Sequence, residues 1–264
     1  MTKMILANLL LFLFFSSCTS TDSDNNQTEN TIEITVNPEV TYQKIHNFGA
    51  SDAWSCQFAG NWPDEQKNRI ANLLFSMETN EDGSPKGIGL SCWRFNIGAG
   101  SARQGENSGI DDPWRRAESF LQPNGNYNWA KQSGQRWFLQ AANQRGVETF
   151  IGFVNSPPVA LTKNGKAHSS GGNSMNLPEE NLPKFSEYLM EVTQNIQQNE
   201  GVLFDYLSPI NEPQWDWEGG QEGSPWKNSE IARLCQILGN DLKNAGLSTQ
   251  IEITEAGQLN HLYE

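Results

Sequence analysis

Positive charge is scarce in this chain of 264 residues: 18 Lys and Arg stand against 31 Asp and Glu, a formal net charge of −13. Nucleic acids and anionic membrane surfaces bind through basic patches, so neither is expected as a partner. Histidine is rarer still. His46, His168 and His261 share no metal-ligand spacing, and no metal or cofactor is expected. Of the four cysteines, Cys18 lies close to the N-terminus, leaving Cys56, Cys92 and Cys235 in the body of the chain. An odd number allows at most one internal bridge. Cys235 falls on the apolar stripe of an expected helix and reads as a buried thiol. Long apolar runs are also missing, since the one at residues 5–15 is too short to remain as a membrane span.

That run follows a single lysine in Met1-Thr2-Lys3-Met4 and precedes Phe15-Ser16-Ser17-Cys18. Residues 1–18 resemble a bacterial lipoprotein signal, in which Cys18 would be lipidated and become the first mature residue; the alternative is an ordinary secretory signal cut near Ser17. Either route exports the protein. The lipoprotein reading places it in the bacterial cell envelope, lipid-anchored at an outer-membrane, surface or periplasmic face, with that lipid as its sole membrane contact. Residues 19–31 contain no apolar side chain and are expected to form a disordered tether.

What is present is a large apolar and aromatic fraction, 36% hydrophobic with nine Trp, enough for one sizeable core. From residue 41 onward the pattern alternates. Strands are expected at residues 45–50, 90–97, 147–154, 203–210 and 251–254. Between them lie four helical patterns. The first starts near Pro63 and aligns Ile70, Leu73, Leu74 and Met77; the second covers about 129–145. The third, about 182–200, aligns Phe185, Leu189, Val192 and Ile196, and the fourth, about 229–245, aligns Ile231, Leu234, Leu238 and Leu242. Gly146, Gly201 and Gly246 stand just past the last three, where glycine ends a helix. Near-continuous apolar strands separated by helices predict parallel pairing. The long segments all follow strands, as they do at the active-site face of a (β/α)8 barrel. A doubly wound sheet is the competing architecture, invited by Gly98-Ala99-Gly100. It fails because Arg103 occupies the sixth position of the dinucleotide fingerprint and a polar loop follows instead of a helix.

The expected fold class is therefore α/β, a (β/α)8 TIM barrel over residues 41–264 that is C-terminally truncated after about five strands. Three strands are lacking for closure, and the sequence is expected to continue. Thr31-Ile32-Glu33-Ile34-Thr35-Val36 alternates like a strand but lies outside the barrel pattern.

Candidate chemistry gathers at the strand ends. Ser208-Pro209-Ile210-Asn211-Glu212-Pro213-Gln214-Trp215-Asp216-Trp217 follows the fourth strand. A carboxylate held there by prolines, beside indoles that exclude water and offer a flat face to a pyranose, suits proton delivery to a leaving sugar oxygen. Glu212 is the first candidate. Asp52 and Trp54 end the first strand, Arg94 and Asn96 the second, Asn155 the third, Asn211 and Glu212 the fourth and Glu255 the fifth. Arg94 has two readings, a bridge between strands and a cation that keeps a nearby carboxylate ionised.

Phe48-Gly49-Ala50-Ser51-Asp52-Ala53-Trp54, Trp93-Arg94-Phe95-Asn96-Ile97-Gly98, Asn155-Ser156-Pro157-Pro158 and the Glu212 motif come in the order and spacing of glycoside hydrolase family 30. Over residues 31–264 the chain most resembles that family's endo-β-1,6-galactanase-like branch. The resemblance implies a barrel with a side β-sandwich, to which residues 32–40 would contribute a strand. It implies a retaining glycosidase with a polysaccharide substrate, here the β-1,6-galactan side chains of arabinogalactan; β-1,6-glucanase, xylanase and glucosylceramidase are the rivals, and an inactive glycan-binding lipoprotein is the rival of another class. It implies Glu212 as general acid/base and Asn211 as partner of the sugar 2-OH; Asp52, Trp54, Arg94, Asn155, Trp215 and Glu255, from their places at the strand ends and in the Glu212 motif, are expected to bind substrate. The family's nucleophile follows the seventh strand, so none is assigned here and the chain as given is expected to be inactive. Glu255 belongs to the fifth strand, one βα unit after Glu212, and fits substrate binding or pKa tuning better than nucleophilic attack.

If Cys18 is the lipid anchor, Cys18→Ala should block processing in a lipoprotein-processing bacterial host or release the protein from the membrane fraction. Identical fractionation of the two forms would end that reading.

Overall fold

The computed structural model describes residues 32–253 and 255–262; the leader with Cys18 and the tether lie outside them. The chain divides after Lys44 into two units. In the first, the described residues carry no strand. Ile32, Ile34 and Val36 are exposed, and a turn at residues 38–39 is fixed by Glu39 N donating to Asn37 Oδ1 at 3.0 Å. Residues 32–40 thus form no strand by themselves. Alternation alone does not make a strand, whose N–H and C=O groups need a ladder partner.

The second unit, from Ile45, holds β1 (Gly49–Ser51), β2 (Cys92–Asn96), β3 (Thr149–Phe153), β4 (Tyr206–Ser208) and β5 (Gln250–Ile251). All neighbours are parallel, in the order β1-β2-β3-β4-β5. The register sets Ser51 beside Arg94, Arg94 beside Ile151 and Ile151 beside Tyr206. A doubly wound sheet reverses strand order at a switch point, and this sheet does not. Sequential order is what a barrel builds strand by strand.

Six helices connect the strands: α1 (Cys56–Ala59), α2 (Asp64–Phe75), α3 (Ser101–Gln104), α4 (Ser133–Gln144), α5 (Leu182–Glu200) and α6 (Asn228–Asn244). Asp64 and Glu65 open α2, where carboxylates complement the helix dipole. Glu230 turns back at the start of α6 to accept from Lys227 N at 2.9 Å. Gly146, Gly201 and Gly246 all have positive φ, as the stop signals predict.

The α5 stripe of Phe185, Leu189, Val192 and Ile196 is buried as expected, with Leu234, Leu238 and Leu242 of α6. The face of α2 is corrected. Leu73 and Met77 are exposed, while Ala71 and Phe75 are buried and Ile70 and Leu74 are partly so. Phe75 sets this rotation, meeting the Trp93 indole edge-on at a centroid distance of 4.9 Å. Cys235 is only partly buried, because the α6 stripe is centred on Leu234 and Leu238. Cys56, Cys92 and Cys235 are all free thiols. His168 is part-buried, its ring nitrogens 2.7 Å from Ser169 O and 3.0 Å from Ser108 O. Backbone oxygens of two loops converge there, which composition does not show.

Gly152 in β3 leaves room for the buried Phe204 ring, 2.8 Å from where a Cβ would sit. Gly152→Ala should destabilise the full-length protein by about 1–3 kcal/mol, the range for overpacking a filled core. Urea denaturation measures this, and an unchanged midpoint would show that Phe204 moves aside without cost.

Candidate active site

β4 ends at Ser208, and the chain turns through Pro209-Ile210-Asn211 to Glu212. Glu212 has φ 45°, in the left-handed region that a residue with a Cβ seldom enters. Both of its backbone polar groups are held. Its N–H donates to Glu255 O at 3.0 Å, and its carbonyl accepts from Trp217 Nε1 at 2.9 Å. Trp217 is itself left-handed, φ 52°. With its amide oxygen facing them, Gln214 accepts from Trp215 Nε1 at 2.7 Å and from Gly257 N at 2.9 Å. A Cβ on Gly257 would lie 2.7 Å from Glu212 Oε1, so the bare Gly257 backbone is what leaves room for this carboxylate.

Arg94 projects from β2 to the same place. Nη2 donates to Glu255 Oε1 at 2.7 Å and to Asn211 Oδ1 at 3.2 Å, while the guanidinium carbon lies 3.6 Å from the centre of the Phe153 ring. Ser208 Oγ also donates to Glu255 Oε1, at 2.7 Å. The two readings of Arg94 merge, because it joins β2 to the β4 and β5 ends through the carboxylate it neutralises. That carboxylate is Glu255.

Asp52 and Asn155 belong to an adjoining buried network. Asp52 N donates to Arg94 O at 3.0 Å and its Oδ1 accepts from Asn96 N at 2.8 Å. Asn155 Nδ2 donates to Asn96 Oδ1 at 3.2 Å, and Gln132 and Gln135 both donate to Asn96 O. Burial pushes the Asp52 carboxyl up to about 7 against the hydrogen bond from Asn96, the side chain of Gln135 and the charge of Arg94. Trp54 is half-buried, and among the described residues no hydrogen bond or ring contact ties it to the Glu212 cluster. Trp215 is 40% exposed. Glu222, Gln132, Gln135 and Gln214 are residues that sequence reasoning missed. Glu222 is fully buried although it stands in the glycine-rich polar run Glu218-Gly219-Gly220-Gln221-Glu222-Gly223-Ser224, which carries no sign of a core.

A carboxyl group at a parallel strand end, next to an amide side chain and an exposed indole, is the equipment for protonating a glycosidic oxygen while a sugar ring stacks. The family model for O-glycosyl hydrolase family 30 matches residues 31–264. The chain belongs to that family. An endo-β-1,6-galactanase of Hypocrea rufa is 29% identical over 234 residues, 82% of this chain and 47% of that protein. A conserved exported protein from Bacteroides fragilis is 39% identical, with TM-score 0.81 over 87% of this chain and 47% of that one. The catalytic domain of GH30 xylanase C from Talaromyces cellulolyticus is 25% identical, with TM-score 0.61 over 85% of this chain and 49% of that one. The chain spans about half the length of these relatives. Its sequential sheet corresponds to five strands of the family's TIM barrel.

Asp52 titrates near 7 when folded against an ordinary value of 3.8. The folded chain therefore holds a proton there that the unfolded chain has released, and this stabilisation, complete below about pH 4, is lost as pH rises through about 7. Asp52→Asn should flatten the decline in urea stability of the full-length protein between about pH 4 and about pH 8. Parallel curves for parent and variant would assign the proton elsewhere.

Proposed function

We propose that the protein is a retaining glycoside hydrolase that cuts β-1,6-linked galactan, the side chains of arabinogalactan, with Glu212 as general acid/base. The observation that carries this reading is the placement of Glu212. It stands at the β4 end, between Asn211 and Pro213, with both backbone polar groups fixed. The family and the galactanase relative support the reaction class and the choice of galactan among the family's substrates.

In the proposed mechanism Glu212 gives its proton to the leaving glycosidic oxygen as an oxocarbenium-like transition state develops, and later takes a proton from the water that releases the product. Asn211 binds the 2-OH of the sugar and Trp215 stacks on its ring. Arg94 and Ser208 both engage Oε1 of Glu255. A carboxylate so engaged holds the arginine in place and shapes the pocket, and Glu255 is assigned that role rather than nucleophilic attack. No residue of this chain is assigned as nucleophile. The leader reading adds a lipid at Cys18 and an extracytoplasmic site of action.

In the full-length protein Glu212→Gln should lower hydrolysis of β-1,6-galactan by about 100- to 10,000-fold, the usual contribution of general acid catalysis. Aryl galactosides whose leaving group needs no proton should lose far less in the glycosylation step. Equal losses on both would remove Glu212 from the role, and sugar release from β-1,6-glucan or xylan in preference to galactan would change the substrate.

A further inference from the structure

Glu222 is a buried carboxyl group outside the described site, and its surroundings are all donors. Its Oε2 accepts from Ala99 N at 2.9 Å, and its Oε1 accepts from Ser101 Oγ at 2.6 Å, Ser101 N at 3.1 Å and Ala117 N at 3.4 Å. All of these donors lie in the segment after β2, whereas Glu222 lies in the segment after β4, ten residues beyond Glu212 in the sequence. A side chain with no exposure and four donors facing it fixes one loop to another at a set distance.

The connection continues back to Glu212. Gly223, the next residue, donates to Ala167 O at 2.8 Å and lies against Trp217, whose ring carbon would be 2.3 Å from a Cβ at that position. Trp217 is held a second time, its carbonyl accepting from Ser169 N at 2.8 Å. Its Nε1 then donates to the carbonyl of Glu212. Burial pushes the Glu222 carboxyl up to about 7, a sign of how much its withdrawal from water costs and of how little this position would be used for solubility.

We propose that Glu222 is a positioning residue for Glu212: by anchoring the loop after β4 to the loop after β2, it seats Gly223 against Trp217 and so aims the indole N–H that holds the Glu212 backbone in its left-handed turn. The inference rests on the reading of Glu212 as acid/base. Glu222 itself touches no reacting atom. Its removal should therefore act through the direction of the Glu212 carboxyl, and the loss should follow the need for a proton.

The experiment compares Glu222→Gln, Trp217→Phe and the double variant in the full-length protein. Glu222→Gln keeps the size of the side chain but sets an amide N–H₂ against donors, and Trp217→Phe removes the indole N–H together with part of the ring that packs against Gly223. Each should lower kcat on β-1,6-galacto-oligosaccharides by about 10- to 100-fold, as for a misplaced catalytic group, with KM changed far less. Loss on an aryl galactoside with an activated leaving group should be at least several-fold smaller. The double variant should lose about as much as the worse single variant, because both act on one chain of contacts. Should Glu222→Gln fail to fold, Ser101→Ala, which removes the 2.6 Å bond to Glu222 and the 3.1 Å bond that Ser101 Oγ accepts from Ala117 N, takes its place. Equal losses on the two substrate types, or effects that multiply in the double variant, would overturn the proposal and leave Glu222 as a structural tie. Glu212→Gln in the same assays separates the two readings. If it shows the leaving-group difference and the Glu222 variants do not, the positioning role falls while the acid/base stands; if Glu212→Gln shows none, the acid/base reading has failed first.

Discussion

A single peptide carries much of the local architecture: the backbone of Glu212, gripped by Glu255 O on one side and by Trp217 Nε1 on the other. A left-handed turn at a residue with a Cβ costs about 1–3 kcal/mol, and it persists only where its surroundings over-determine it. Here the segment after β5 supplies one grip and the segment after β4 the other, so this turn is shared between two βα units. Parallel register makes that possible. With Leu207 beside Ile251, the segments that leave β4 and β5 emerge side by side, close enough for the carbonyl of Glu255 to reach the N–H of Glu212.

The charges near this turn obey a simple balance. Arg94 is three-quarters withdrawn from solvent and is tolerable there because Glu255 neutralises it and the Phe153 ring covers one face. Among the described residues Asp52 has no ion-pair partner, and it relies on backbone and amide donors. Its proton affinity rises in consequence. Two carboxyl groups, one after the first strand and one after the fifth, thus behave differently: Glu255 is neutralised by charge, and Asp52 is pushed up to about 7 by burial.

Much of this was legible in the residues. The α5 and α6 stripes, the three glycine stops and the strand sequence follow from periodicity and backbone conformation, which are local properties. The gathering of Arg94, Asn211, Glu212 and Glu255 was readable because each stands at a strand end, and parallel strands bring their ends together. Three things were not readable. The rotation of α2 depends on where Trp93 puts its indole, a tertiary fact that favours Phe75 over Leu73 and Met77. Residues 32–36 alternate, but alternation describes one strand while a ladder needs two. Glu222 could not be found at all, because its burial comes from loops closing over it, and glycine-rich polar sequence ordinarily marks solvent-exposed turns.

The order of the strands also has a bearing on how the chain is made. Each strand pairs with the one before it, so every new ladder closes over a segment of roughly fifty residues and never waits for a distant partner, which keeps each loop-closure cost nearly constant. On a ribosome such a sheet can grow at one edge as synthesis proceeds, each βα unit docking on the last. The turn at Glu212 is different in kind. Its N–H finds its acceptor only after β5 has emerged, so the catalytic candidate is among the later parts of this sheet to take its shape, although its residue is made before α6 and β5.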